Sequence, residues 1–207
     1  MNLTGPHEAF PRSVLARKPR GVVSFWLVLL LAISEILPFE VQARQKRPTE
    51  SQIEAIYLFN FTRFIEWPPD PAAAPGAETF SLCVLGEDPF GKFLDATIAG
   101  ERVGEKSFVA RRISKPEDAL DCRILFVSTS EQDHLKELFD VLANKSVLTV
   151  SDIPRFAERG GMIEFVMAKD KVRFEINLTS ATEAGLTLSS DLLKVAVAVH
   201  RDAHGRA

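Results

Sequence analysis

A chain of 207 residues with a formal net charge of −3 and 46% hydrophobic residues has room for one domain, or one domain with an appendage. That hydrophobic fraction is too high for a disordered chain, and the near-neutral charge lacks the basic footprint of a nucleic-acid binder. Two cysteines and four histidines are too few for a disulfide scaffold or a cysteine zinc site, so composition leans away from an enzyme and from a metal or cofactor.

Residues 1–43 read as an export segment. Arg12, Arg17, Lys18 and Arg20 precede an apolar run from Val22 to Leu37, and Val41-Gln42-Ala43 offers the small or aliphatic residues of a peptidase site. The run is 16 residues long and interrupted by Glu35, short of the roughly 20 residues that span a bilayer. A cleaved secretory signal is therefore expected rather than a membrane anchor, leaving residues 44–207 as a single domain. That remainder holds 21 basic and 25 acidic residues, a net −4, and both cysteines. In an oxidising compartment such as a Gram-negative periplasm, a disulfide between them would persist.

After a polar lead-in, the spacing of Ile53, Ile56, Tyr57, Phe61, Phe64 and Ile65 predicts an amphipathic helix from Glu50 to Glu66, with Asn60 on the same stripe as a buried amide. Trp67-Pro68-Pro69 ends it, and Asp70 to Glu78 is a Pro/Ala/Gly-rich loop. Alternation follows. Strands are predicted at Thr79–Gly86, Lys106–Ile113, Arg123–Ser128 and Val147–Ser151. Helices are predicted from Asp88-Pro89 to Ile98 and from a Ser130 cap to Ala143, with at most one helical turn over Lys115–Leu120. Short apolar strands alternating with helices argue for an α/β fold: a mostly parallel sheet with helices on both faces. The last third changes character. Met162–Met167 and Val172–Asn177 flank the turn Ala168-Lys169-Asp170-Lys171, and the second run alternates apolar with polar residues, as a half-exposed antiparallel hairpin does. Gly160-Gly161 gives backbone freedom just before it. A final helix from about Ser189–Asp191 through Val199 has so few polar residues that it must be buried or covered by a partner, which would permit a homodimer. The tail after His200 is polar.

No GxGxxG, GxSxG, HExxH or CxxC occurs. The stretch from Gly100 to Ser107 resembles a phosphate-binding loop at a glance, but the spacing is one residue short and Glu105 stands where a glycine should precede the lysine. His200 and His204 have helical metal-binding spacing without a third ligand, and read as solvated tail. Cys83 falls in the first predicted strand and Cys122 at the start of the third, commonly neighbours in a doubly wound sheet; either a disulfide or a pair of buried thiols fits.

One resemblance is specific. Tyr57-Leu58-Phe59-Asn60-Phe61-Thr62-Arg63-Phe64-Ile65-Glu66-Trp67-Pro68 is similar to the opening signature of the YfiR-like family of periplasmic proteins. The similarity continues through Leu82–Gly86, Asp88–Phe90, Cys122–Val127, Leu148–Asp152, Phe156–Ile163, Arg173–Leu178 and Ser189–Leu193. It implies a non-enzymatic regulator that holds the periplasmic sensor domain of an inner-membrane diguanylate cyclase inactive, lowering cyclic di-GMP and biofilm formation. Cys83 and Cys122 match a family cysteine pair that can form a disulfide. A second family pair, before the Gly-Gly turn, has no counterpart here. Inhibition of this kind needs a contact surface, for which Phe156, Glu164 and Lys169 are the candidates. A small-molecule-binding sensor module for another signalling or transport system is the alternative reading; a hydrolase with a non-contiguous site is a distant third.

Overall fold

The computed structural model describes residues 48–69 and 79–201, all within one compact unit, Arg47–Ala207. The export segment, the loop 70–78 and the tail with His204 lie outside the described residues.

Helix α1 (Glu50–Phe61) starts at a capping box: Thr49 Oγ1 accepts from the Gln52 amide at 3.3 Å while Gln52 Oε1 accepts from the Thr49 amide at 3.0 Å. It buries Glu54, Ala55, Leu58 and Phe61; of the expected stripe Phe61 and Ile65 are buried and Ile53 and Tyr57 pack half-buried on the core, while Ile56 and Phe64 turn outward. Ile56 is 42% exposed and Phe64 38%; Asn60 is half-buried. The buried face is rotated toward Ala55 and Leu58 relative to the expected stripe and shares Phe61 with it. The helix also stops earlier than expected. Arg63 and Phe64 donate to carbonyls three residues back, and the chain straightens into β1 (Ile65–Glu66), which pairs antiparallel with β9 (Thr187–Leu188). Tertiary pairing overrides local helix periodicity here.

The strands predicted from apolar runs are present: β2 (Thr79–Leu85), β4 (Lys106–Ile113), β5 (Ile124–Val127), β6 (Leu148–Ser151), and the hairpin β7 (Ile163–Ala168) and β8 (Lys171–Asn177). With β3 (Arg102–Val103) and β10 (Val199–His200) they form an eight-stranded sheet ordered β10-β8-β7-β6-β5-β2-β4-β3. The five strands β4-β2-β5-β6-β7 are mutually parallel. Counted from β2, this is the 2-1-3-4-5 order of a doubly wound sheet, with its switch point between β2 and β5. Every residue of β5 and β6 is buried, because both faces are covered. Helices α1 and α2 (Lys92–Ile98) cover one face over Leu82, Val84, Ile124, Phe126 and Val150. Helix α3 (Leu135–Val141) and the 3-10 segment Pro116–Asp121 cover the other over Cys83, Leu85, Leu125 and Val127.

Two further expectations are corrected. The helix expected from Ser130 to Ala143 is a 3-10 turn, Thr129–His134, capped by Ser128, followed by the shorter α3. After the short α4 (Leu178–Glu183), the long final helix is only α5 (Ser190–Val195). Beyond it Val197 N donates to Phe174 O and Ile176 N donates to Ala198 O, which draws the chain alongside β8 as the edge strand β10. Val195 and Val197 are about half exposed, so the all-round apolar helix that would have permitted a dimer does not form.

Arg112, on the carboxyl half of β4, ties α2 to the sheet. Its guanidinium donates to Asp88 Oδ2 at 2.9 Å, to Asp95 Oδ1 at 2.6 Å and Oδ2 at 3.0 Å, and to Gly91 O at 3.0 Å. Asp88 also accepts from the amides of Phe90 and Gly91, which shapes the turn into α2. Replacing the fork while keeping the stem, Arg112→Met, should lower unfolding free energy by about 1 kcal/mol in a urea titration. An unchanged midpoint would mean that this half-exposed cluster is worth nothing net, as many surface pairs are.

Candidate functional site

The carboxyl edge of the parallel sheet is where doubly wound proteins place ligands, and here the chain occupies it with its own groups. Gly86, just after β2, has φ +86°, and a Cβ there would collide with the side chains of Ser130 and Glu131. Ser130 Oγ accepts from the Glu87 amide at 3.0 Å and bonds Glu131 Oε1 at 3.1 Å. The switch point is thereby filled by the turn that follows β5.

Beside it lies the segment from Asp152 to Gly161, which joins β6 to β7. Most of the buried polar groups at this edge serve that segment. The Glu164 carboxylate accepts from Arg155 N at 2.8 Å and from Ala157 N at 3.1 Å. Asn177 Nδ2 donates to Ala157 O at 2.8 Å, and its Oδ1 caps α4 by accepting from Ser180 N. Thr149 Oγ1 accepts from Met162 N, and Ser151 Oγ accepts from Ile153 N while donating to Val127 O. Gly161 is required because the Phe156 ring lies directly against its backbone. Arg155, at φ 63°, turns the chain so that its side chain faces solvent and pairs with Glu158. Arg159 reaches across to donate to Gln132 O.

This geometry corrects the expected contact residues. Phe156 is 0% exposed and packs on Phe139 at 5.7 Å between ring centroids, and Glu164 is 8% exposed and committed to backbone amides. Neither offers a surface. Lys169 does: with Asp170 it occupies the left-handed positions of the β7–β8 turn and is exposed, the backbone of a type I′ hairpin.

Cys83 and Cys122 are joined by a disulfide with 5.9 Å between Cα atoms, resolving the two alternatives the sequence leaves open. Both sulfurs sit in the core under α3, and the bridge ties β2 to the turn that leads into its neighbour β5. The phosphate-loop look-alike is a hairpin: Arg102 pairs with Ser107 and Val103 with Lys106 around Gly104. His200 bonds Glu175 at 2.8 Å across β10 and β8. A shallow depression of about 510 Å³ on α3 is lined by Asp133, His134, Lys136, Glu137, Asp140 and Val141. Among the described residues no group of three or more His, Cys, Asp or Glu side chains could hold a metal ion.

Sequence reading missed one pair. Glu54, on the buried row of α1, is only 7% exposed. Burial foremost, then Asp152 and Glu50, pushes its pKa up from 4.5 to about 7. Asp152 is raised too, by burial, partly offset by a backbone hydrogen bond, and its Oδ1 is buried with no partner among the described residues. Between 4.5 and about 7 the folded chain keeps a proton that the unfolded chain releases, so this group's contribution to stability falls as pH rises through that window. The signal was an acid between apolar neighbours on the Ala55–Leu58–Phe61 row.

The family model described as YfiR/HmsC-like matches residues 51–197. The chain belongs to the YfiR/HmsC-like family. The matched span holds α1, both cysteines, the pinned segment and the hairpin, which places the family signature on the elements just described. A solved structure titled as the ABC domain in complex with L-Trp from Streptococcus pneumonia aligns at 12% identity with a TM-score of 0.47. The alignment covers 73% of this chain and 60% of that one, so this chain spans less than two thirds of its length.

In this YfiR/HmsC-like domain the buried bridge is a staple. Replacing both Cys83 and Cys122 by serine should cost about 4 kcal/mol by the chain-entropy relation for the 39-residue separation. Urea unfolding of oxidised protein against the double variant reads it. A loss near zero would show that packing alone sets this part of the core.

Proposed function

We propose that this chain is a periplasmic repressor that binds the periplasmic sensor domain of an inner-membrane diguanylate cyclase in its inactive form, lowering cyclic di-GMP and biofilm formation. The observation that carries the reading is the family match over residues 51–197, which takes in most of the described chain. Export through a cleaved signal within residues 1–43 is part of the proposal. No helix among the described residues is long and apolar enough to cross a membrane.

Repression of this kind asks for no chemistry. The regulator needs only to bind the inactive partner more tightly than the active one, and the shift equals that difference in affinity. With Phe156 and Glu164 buried, the surface moves to the hairpin and its flank. Met167 is 53% exposed in β7, opposite Val172. On the other side of β8, Val197 N meets Phe174 O and Val195 O accepts from Arg173. Lys169 stands at the turn. Half-exposed apolar side chains beside the exposed Lys169 and Lys171 suit a largely apolar protein contact with acids at its rim. The alternative, a small-molecule sensor, is less well supported because Ser130 and Glu131 already fill the switch point.

Cellular cyclic di-GMP should rise when the gene is deleted. The exported protein should restore it; a version lacking residues 1–43 and an exported Met167→Asp/Val197→Asp variant that still folds should not. No rise on deletion, with expression of the wild-type protein verified, contradicts repression. Full restoration by the double variant contradicts this contact surface.

A further inference from the structure

We propose that the outer edge of β4, from Phe108 to Arg112, is a strand-addition site for an acidic extended segment of a partner protein. It lies toward the other end of the sheet from the hairpin surface, and the inference stands independently of repression.

β4 is paired along one side and nearly bare along the other. β2 meets it in unbroken register from Thr79↔Ser107 to Leu85↔Ile113, whereas β3 reaches only Lys106 and Ser107. Alternation fixes which groups face out. Ile113 O accepts from Gly86 N on the β2 side, and Phe108 N donates to Glu101 O on the outer side. Lys106, Phe108, Ala110 and Arg112 therefore aim their main-chain groups outward. Past Phe108 N, the Phe108 carbonyl and the N–H and C=O of Ala110 and Arg112 have no partner among the described residues.

Sheets guard such an edge with a proline, a bulge or a charge laid across it. β4 has no proline, and its register with β2 has no bulge. Its two arginines alternate to opposite faces. Arg112 is held by Asp95 at 2.6 Å, on α2, and by Asp88 at 2.9 Å. Arg111 leans toward Asp121 at 3.9 Å, in the 3-10 segment that covers the other face. Between them Ala110 is small, so a second backbone can approach to ladder distance, roughly 4.8 Å.

Charge selects the occupant. Residues 106–115 carry Lys106, Arg111, Arg112 and Lys115 and no acid, in a chain of net charge −3. Two aspartates neutralise Arg112, but Arg111 has only its long pairing with an exposed aspartate, which is worth little. Lys106 and Lys115 make no ion pair among the described residues. An added strand gains main-chain hydrogen bonds whatever its sequence, and acids beside Arg111 and the lysines add cross-strand charge pairs. A second copy of the chain would set two cationic edges face to face, which like charge opposes.

The probe is a short fluorescent peptide alternating valine and glutamate, titrated into the intact protein and read by anisotropy. It should bind, and its valine–lysine counterpart should bind weaker by about tenfold or more. Amide exchange on the wild type should show Ala110 and Arg112 gaining protection with the glutamate peptide, while β2 and β5 are unchanged. Ala110→Pro removes an outward donor and no bond to β2; with its thermal transition intact, it should weaken binding by about tenfold. No binding, equal binding of the two peptides, unchanged exchange at Ala110 and Arg112, or full affinity in Ala110→Pro would each overturn the proposal. So would a dimer of the chain that Ala110→Pro dissolves, which would assign the edge to a second copy.

Discussion

A carboxylate taken out of water must be answered by donors or by a proton, and Glu164 is answered by two main-chain amides. Arg155 N and Ala157 N both point at it, so the segment between β6 and β7 is wound around a side chain delivered by the next strand. Once those two amides are fixed, Phe156 is carried into the core, its ring closes on Gly161, and Asn177 can reach Ala157 O. The same asparagine caps α4, which passes the constraint on toward β9 and the small pairing with β1. The end of the parallel sheet is thus organised by buried polar groups, each used twice where its chemistry allows.

What could be read in advance follows from where the information lies. Strands β2, β5 and β6 were legible because burial on both faces makes them continuous apolar runs, and the hairpin because charged alternates mark a half-exposed strand. The facing of α1 was legible in part: Phe61 and Ile65 lie on the stripe read from the sequence and are buried, but only the sheet decides that Ala55 and Leu58 turn inward and Ile56 and Phe64 outward. Val197–Val199 looked like helix because the pairing of this stretch with β8 is non-local. Phe156, in a polar loop, could be read either as core or as surface, and Glu164 looked exposed because it is a charge within a hairpin strand; burial there comes from Phe139 and from amides several residues away, which no local pattern records. Of the candidate site, the cysteine pair was visible from strand placement, whereas the Glu54–Asp152 pair required knowing which face of α1 turns inward.

The fold also bears on how such a domain would act. A switch point filled by Ser130 and Glu131 leaves the sheet's usual ligand crevice occupied, while the hairpin and the stretch leading into the edge strand keep the apolar side chains of Met167, Val195 and Val197 in solvent. The disulfide staples the core under α3, and fixed hydrogen bonds from Glu164 and Asn177 hold the segment beside it.

The claim on which the rest stands is that the Glu164 carboxylate sets the conformation of residues 152–161. Amide exchange in a Glu164→Gln variant measures it directly, since the amide keeps the shape and one acceptor oxygen but places an NH₂ group where one backbone donor now points. The account predicts that one of Arg155 N and Ala157 N loses protection by an order of magnitude or more, that Phe156 becomes reachable by solvent quenchers or labels, and that β2 and β5 are unaffected. Retained protection at both amides would contradict it, and would mean that the packing of Phe156, not the buried carboxylate, shapes the segment.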